Sequence, residues 1–243
     1  YLRSRRREAV ISVISILSFL GIMLGVATLI IVMSVMNGFR TELISKILGV
    51  NGHMLVQPVE QRLTDYEAVA GRLEGVDGVL QAIPYVEGQA LVSAPGGATG
   101  ALMRGLSRED LAAIPLVANN VMGGTLEDFG PGRTVAIGSR LARTLGVTVG
   151  QSITLVSPDG AVTPFGVTPR MESFEVVAVF EVGMSEFDSS ILYMPIRQAQ
   201  LFFNQEGAAS AIELFVADPD AVGELRAPVQ TAAERPVFVT DWR

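Results

Sequence analysis

The chain has 243 residues, 49% of them hydrophobic, and a formal charge of −7. It has no cysteine and a single histidine, which excludes disulfide frameworks, thiolate metal sites and any centre that needs two imidazoles. The acidic balance argues against a nucleic-acid partner, which requires a basic face.

The charge is unevenly placed. Arg3, Arg5, Arg6 and Arg7 against Glu8 give +3 over the first eight residues, which leaves −10 on residues 9–243. From Ala9 to Phe39 no residue is charged. A bilayer span needs roughly 20 apolar residues, and the apolar core of a secretory signal reaches only about 7–15. The stretch therefore reads as a transmembrane helix. Behind it, Arg40 and Lys46 are interleaved with Glu42. The arginine-rich lead-in then places the N-terminus in the cytoplasm and the bulk of the chain across the membrane, in the periplasm of a Gram-negative cell. Ser18, Gly21, Gly25 and Thr28 recur at three- and four-residue spacing and share one helix face. Gly21 and Gly25 form a GxxxG, which lets another helix approach closely, although small residues are also frequent in membrane helices generally. No second span follows, so a partner helix would come from another chain or from sequence beyond this one.

Phe39, Leu43, Ile44, Ile47 and Leu48 prolong the helical spacing until Gly49 and Asn51-Gly52 stop it. HMLVQP reads as a strand and residues 65–73 as a helix opened by Thr64. VLQAIPYVEGQALVSA reads as two strands kinked at Gly88, ALMRGL as a strand, and Ser107 as the cap of a short acidic helix. Next come a strand VAIG, a helix Ser139–Leu145 stopped by Gly146, and a strand QSITLV. After a long connection come a strand FEVVAVFEV, a strand SSILYMPI, a helix 197–203, a strand AIELFVAD, a helix 220–233 and a closing strand PVFVTDW. The fold class is α+β and mostly antiparallel. Residues 53–93 and 211–241 are expected to pair as one lobe, with 99–203 inserted as a more β-rich lobe.

Candidates for catalysis are weak. Glu186 and Asp188 lie close in VGMSEFDSS, where solvated turn residues are the commoner reading, and His53 has no second ligand or base. GGATG and MGGTLEDFGPG lack the lysine and helix of a phosphate loop and read as turns. No catalytic residue, metal ligand or cofactor site is assigned, and the chain reads as a non-enzyme. The connection SPDGAVTPFGVTPRMESF is the unusual element. A hairpin needs two to five loop residues, whereas this stretch carries Pro158, Pro164 and Pro169 around Phe165 and Val167. The prolines are expected to keep the tip out of an ordinary ladder and pre-shape it to hold apolar side chains outward.

RRREAVISVISILSFLGIMLGVATLIIVMSVMNGFRTELISKILG resembles the first membrane helix of the lipoprotein-releasing (Lol) ABC transporter permeases, the LolC/LolE family. The match rests on the basic lead-in, the Gly-Val-Ala-Thr-Leu-Ile run and Met36-Asn37-Gly38-Phe39-Arg40. IGSRLARTLGVTVGQSITLVSPDG is similar to that family's periplasmic domain, and the closing TDWR to the segment preceding its second membrane helix, so the chain reads as a fragment. The resemblance implies a basic lead-in at 1–8, a membrane helix at 9–48, a porter-like lobe at 49–98 and 204–241, and a β-rich, Sabre-like lobe at 99–203 bearing a hook hairpin at 158–172. It implies a permease subunit working with a cytoplasmic ATPase, LolD, and a second permease, LolE-like or a copy of itself. The complex would extract lipoproteins from the inner membrane and pass them to the periplasmic carrier LolA. In this family only LolC-like members and single-permease hybrids carry the hook. Thr163, Pro164, Phe165, Gly166, Val167, Thr168, Pro169 and Arg170 resemble it. The family follows its hook with a basic, amide-bearing patch, where this chain has Met171 and Glu172. The alternative is a permease of the MacB or FtsX type, with the same topology and other cargo or envelope hydrolases as partners.

Overall fold

The computed structural model describes residues 2–59, 62–130, 132–163 and 166–243, with backbone alone for residues 2–12, 45 and 158–167. The first element, α1 (Leu2–Val50), is one 49-residue helix. Ile14, Ile16, Leu17, Phe19 and Ile22, which fall on different sides of it, are all exposed. An apolar surface on every side suits a lipid solvent, and the helix is long and apolar enough to cross a membrane.

Residues 1–47 form one compact unit and residues 48–243 a second. In chain order the second unit begins with β1 (Met54–Pro58), α2 (Tyr66–Glu74), β2 (Val79–Ala94), β3 (Gly97–Leu106), α3 (Arg108–Ala112), α4 (Pro115–Ala118) and β4 (Val121–Gly124). It continues with β5 (Thr134–Gly138), α5 (Ser139–Leu145), β6 (Ser152–Thr163), β7 (Gly166–Phe180), α6 (Ser185–Ser190) and β8 (Ile191–Pro195). The last elements are α7 (Ile196–Phe202), β9 (Ala211–Val216), α8 (Val222–Ala232) and β10 (Val237–Asp241).

The strands are ordered β10-β1-β9-β2-β3-β8-β5-β7-β4, and β6 pairs with both β2 and β7. Among the described residues only β3–β8 and β5–β7 are parallel. β2 changes partner midway, pairing with β9 over 79–85 and with β3 over 86–94. Because β6 bonds to β2 on one side and β7 on the other, β2, β3, β8, β5, β7 and β6 close into a ring. Alternating residues of these strands, among them Val92, Met103, Ile137, Leu155, Phe174 and Leu192, share one buried cluster with Leu141 and Leu145 of α5 and Ala199 and Phe202 of α7. A second cluster packs α2 and α8 on one face of β10-β1-β9-β2 through Leu63, Val69, Leu73, Val222 and Val229.

Local chemistry explains several elements. Ser107 caps α3, its Oγ accepting the Asp110 N–H at 2.9 Å. Gly146 ends α5 at φ 64°, a left-handed turn that favours glycine. At Gly88 the expected kink is instead a close approach within one continuous strand. A Cβ there would lie 2.3 Å from the Phe203 ring, and one at Gly105 would lie 2.2 Å from the Ala199 Cβ. These two glycines let α7 sit down on β2 and β3.

Other expectations are corrected. Asp65, not Thr64, stands at the N-terminus of α2. Ser189 and Ser190 end a short helix rather than open a strand. Gly123 and Gly124 lie in β4 rather than a turn, and a Cβ on Gly124 would strike the Val177 carbonyl oxygen at 1.9 Å. Asp188 is buried, not solvated, because its carboxylate accepts the N–H groups of Val182 at 2.8 Å and Gly183 at 3.2 Å. The largest correction concerns residues 158–163 and 166–173, which form a paired ribbon and not a loop. The ladder runs from Ser152↔Glu175 to Thr163↔Gly166. It shifts register once, between Ser157 and Ala161, where Pro158, Asp159 and Gly160 face Pro169. Two of the prolines that argued against pairing, Pro158 and Pro169, meet at one bulge, where no ladder N–H is required, and Pro164 lies outside the described residues.

Candidate functional site

The hook residues lie at the far end of this ribbon. β6 meets β2 only over Thr154–Val156, and β7 meets β5 only from Glu175 onward. From Ser157 outward the two strands pair with each other alone. Thr163 and Gly166 form the last pair, and Val162 faces Val167. The two residues that join them, Pro164 and Phe165, lie outside the described residues. Thr168 and Pro169 are exposed.

Arg170, at the root, is half-buried and turned inward. Its guanidinium donates to the carbonyl oxygen of Leu201 and, at 2.9 Å, to Oδ1 of Asn204. Arg62 donates to the Asn204 carbonyl oxygen at 2.5 Å. Two residues further along the same strand, the Glu172 carboxylate lies 3.4 Å from Arg133. The structure thus joins Thr163 to Arg170 in one hairpin but directs Arg170 toward the body of the protein.

On α1, Ser18, Gly21, Gly25 and Thr28 are exposed. A Cβ on Gly21 or Gly25 would meet open space. Thr28 satisfies its hydroxyl within the helix, donating to the Leu24 carbonyl oxygen at 2.8 Å. His53 is half-buried, its Nδ1 accepting the Val216 N–H at 3.0 Å and its ring set edge-on to Phe215. Burial holds its imidazole below the ordinary range. Among the described residues no three His, Asp or Glu side chains gather as a metal site.

Sequence reading missed a buried polar joint immediately after α1. Arg104 Nε lies 3.0 Å from Glu87 Oε2, and its Nη1 lies 3.0 Å from Glu213 Oε1 and 3.2 Å from Asn51 Oδ1. The guanidinium stacks over the Tyr85 ring at 4.9 Å. Burial lifts the Glu213 carboxyl above the usual carboxylate range, against the pull of Arg104 and the Gly52 N–H. The available signal was one charge in each of two apolar strands, ALMRGL and AIELFV.

The family model of MacB-like periplasmic core domains matches residues 15–232. The chain belongs to that family. It is 35% identical over its whole length to the lipoprotein-releasing system transmembrane protein LolC of Neisseria meningitidis serogroup B. It is 30% identical to LolC of Xylella fastidiosa and 27% identical to LolE of Haemophilus influenzae. In each case the whole chain matches but covers only 58–59% of the relative. The chain therefore spans about three fifths of the length of these curated relatives. Two solved domains share its fold. One is the extracellular domain of the noncanonical ABC-type transporter YknZ from Gram-positive bacteria, with a TM-score of 0.52 and 18% identity over 79% of this chain and all of that one. The other is the periplasmic region of MacB from Actinobacillus actinomycetemcomitans, with a TM-score of 0.51 and 13% identity over 80% of this chain and 91% of that one. The resemblance to the Lol permeases and the α+β fold with an apolar N-terminal helix are both borne out.

Proposed function

We propose that the chain is the first membrane helix and periplasmic domain of a LolC-like permease subunit, whose complex extracts lipoproteins from the inner membrane and hands them to the soluble carrier LolA. The observation that carries this reading is the ribbon. It is a two-stranded arm, free of other strands beyond Ser157, in a chain 35% identical to a LolC. Its apex residues, Thr163 to Pro169, are the carrier-binding hook. An arm already paired as far as Thr163 and Gly166 loses little entropy on binding, which favours capture of a partner by a small apolar segment.

The subunit is non-catalytic, ATP hydrolysis falling to a separate cytoplasmic LolD, and it pairs with a second permease, LolE-like or a copy of itself. Residues 49–98 with 204–241 serve as the porter-like lobe and 99–203 as the hook-bearing lobe. The N-terminus lies in the cytoplasm, as the four leading arginines require. The test is co-purification of LolA with the detergent-solubilised full permease. Retention of the carrier by the intact protein, and its loss when residues 161–168 are replaced by a Gly-Ser turn, is the expected result. Equal retention by both would overturn the hook. A second reading, a MacB-type permease with other cargo, is favoured by the family model and the MacB-like fold. Retention of no carrier by the intact permease would turn the balance toward it.

A further inference from the structure

We propose that Arg170 is a positioning residue that sets the angle of the ribbon by clamping its root to the C-terminal end of α7, a role that rests on the hook reading only for its functional consequence. A two-stranded ribbon standing clear of its sheet has no lateral support, and a β-bulge at its base adds a point of bending. Here the bulge faces Pro169, the residue next to Arg170. Without a strut at that position the arm would sweep a range of directions, and the benefit of a pre-shaped tip would be lost.

Arg170 supplies the strut. The last carbonyls of a helix lack intrahelical donors, and an arginine fork can satisfy two acceptors at fixed geometry. The acceptors are the Leu201 carbonyl oxygen in the last turn of α7 and the Asn204 side-chain oxygen just after it. Asn204 is itself held in a left-handed turn at φ 54°, with its carbonyl oxygen taken by Arg62. The far end of the clamp is equally firm. Ala199 and Phe202 are fully buried, and Gly88 and Gly105 admit α7 into direct contact with β2 and β3. A rigid path therefore runs from the ring through α7 and Arg170 to the arm. The guanidinium is turned toward α7 and Asn204 and away from the ribbon's end, so Arg170 acts through the ribbon and does not touch the partner.

Residues 1–243 hold no cysteine, so once any cysteine elsewhere in the complex is replaced, site-specific spin labels report without background. In the full permease in nanodiscs, nitroxides at Thr163→Cys and Thr144→Cys report the distance between ribbon end and ring by pulsed electron paramagnetic resonance. Arg170→Gln should broaden the distance distribution at least twofold and weaken LolA binding about tenfold. Asn204→Gly, which keeps the left-handed turn and alters no ribbon residue, should do the same in milder degree. Weakened binding with an unchanged distribution would mean that Arg170 contacts the carrier and would overturn the clamp. An unchanged distribution with unchanged binding would overturn it as well, as would a broadened distribution with undiminished affinity. If the unsubstituted permease binds no LolA while Arg170→Gln still broadens the distribution, the clamp stands and the hook reading falls.

Discussion

Phe165 lies in sequence between Thr163 and Gly166, the last pair of the ribbon, and is the aromatic residue of the proposed hook. Burying one aromatic side chain in a partner cavity is worth roughly 1.5–3 kcal/mol, about one to two decades of affinity. Phe165→Ala should therefore weaken LolA binding at least tenfold with the melting temperature unchanged, measured by calorimetry on the full permease. Unaltered affinity would remove the tip from the interface. Glu213 offers a different residue-scale test. Its raised pKa means that the folded state holds the proton more tightly than the unfolded chain. That contribution to stability is complete below the ordinary glutamate value of about 4.3 and is lost as pH rises through the elevated one. Glu213→Gln removes the titration. Its melting temperature relative to the parent should climb as pH is raised from about 4 to neutrality, and a difference that stays flat across that range would contradict the assignment.

Between elements, the seat of α7 is the sensitive junction. A side chain at Gly105 has nowhere to go, since even a Cβ falls 2.2 Å from Ala199. Overpacking of this kind costs typically about 1–3 kcal/mol, so Gly105→Val should lower the unfolding free energy by that amount, read as a reduced denaturation midpoint at unchanged m. A midpoint equal to the parent's would show that α7 shifts freely. On α1 the space around Gly25 is open, and Gly25→Leu only makes the helix more apolar. Membrane insertion should persist while assembly with the second permease, read by co-purification, declines; undiminished assembly would leave the small-residue face without a role. Several elements were legible from residue order alone. The long apolar run gave α1, Ser107 gave the start of α3, and Gly146 gave the end of α5. What escaped has a common cause. The pairing of β6 with β2 joins residues more than sixty positions apart, the burial of Asp188 and Glu213 depends on which N–H groups and cations surround them, and the ribbon hid behind prolines whose harmlessness follows only from the register. Periodicity reports which face of an element is apolar, and it is silent on what that face meets.

For the molecule as a whole, orientation is the statement on which the partners depend. If the arginine cluster stays in the cytoplasm, a phosphatase reporter fused after residue 60 is active and a cytoplasmic reporter at the same point is silent. The reverse pattern would dissociate the ribbon from any periplasmic carrier. The closed ring adds a mechanical property to this arrangement. The arm is not an appendage tied on by a linker, since β6 and β7 are themselves two of the six staves. Ladder hydrogen bonds run across the strands, perpendicular in the antiparallel β6–β2 pair and slanted in the parallel β7–β5 pair. A pull on the tip along the arm therefore loads the β6–β2 and β7–β5 ladders in shear, with all rungs sharing the force, and cannot peel them one at a time. The compliant link is the bulge at Pro158–Gly160, which can stretch before any stave slips. A carrier tugging at the tip would thus draw on the whole barrel as one anchor, with the bulge as the one place where the pull is taken up before it reaches the staves.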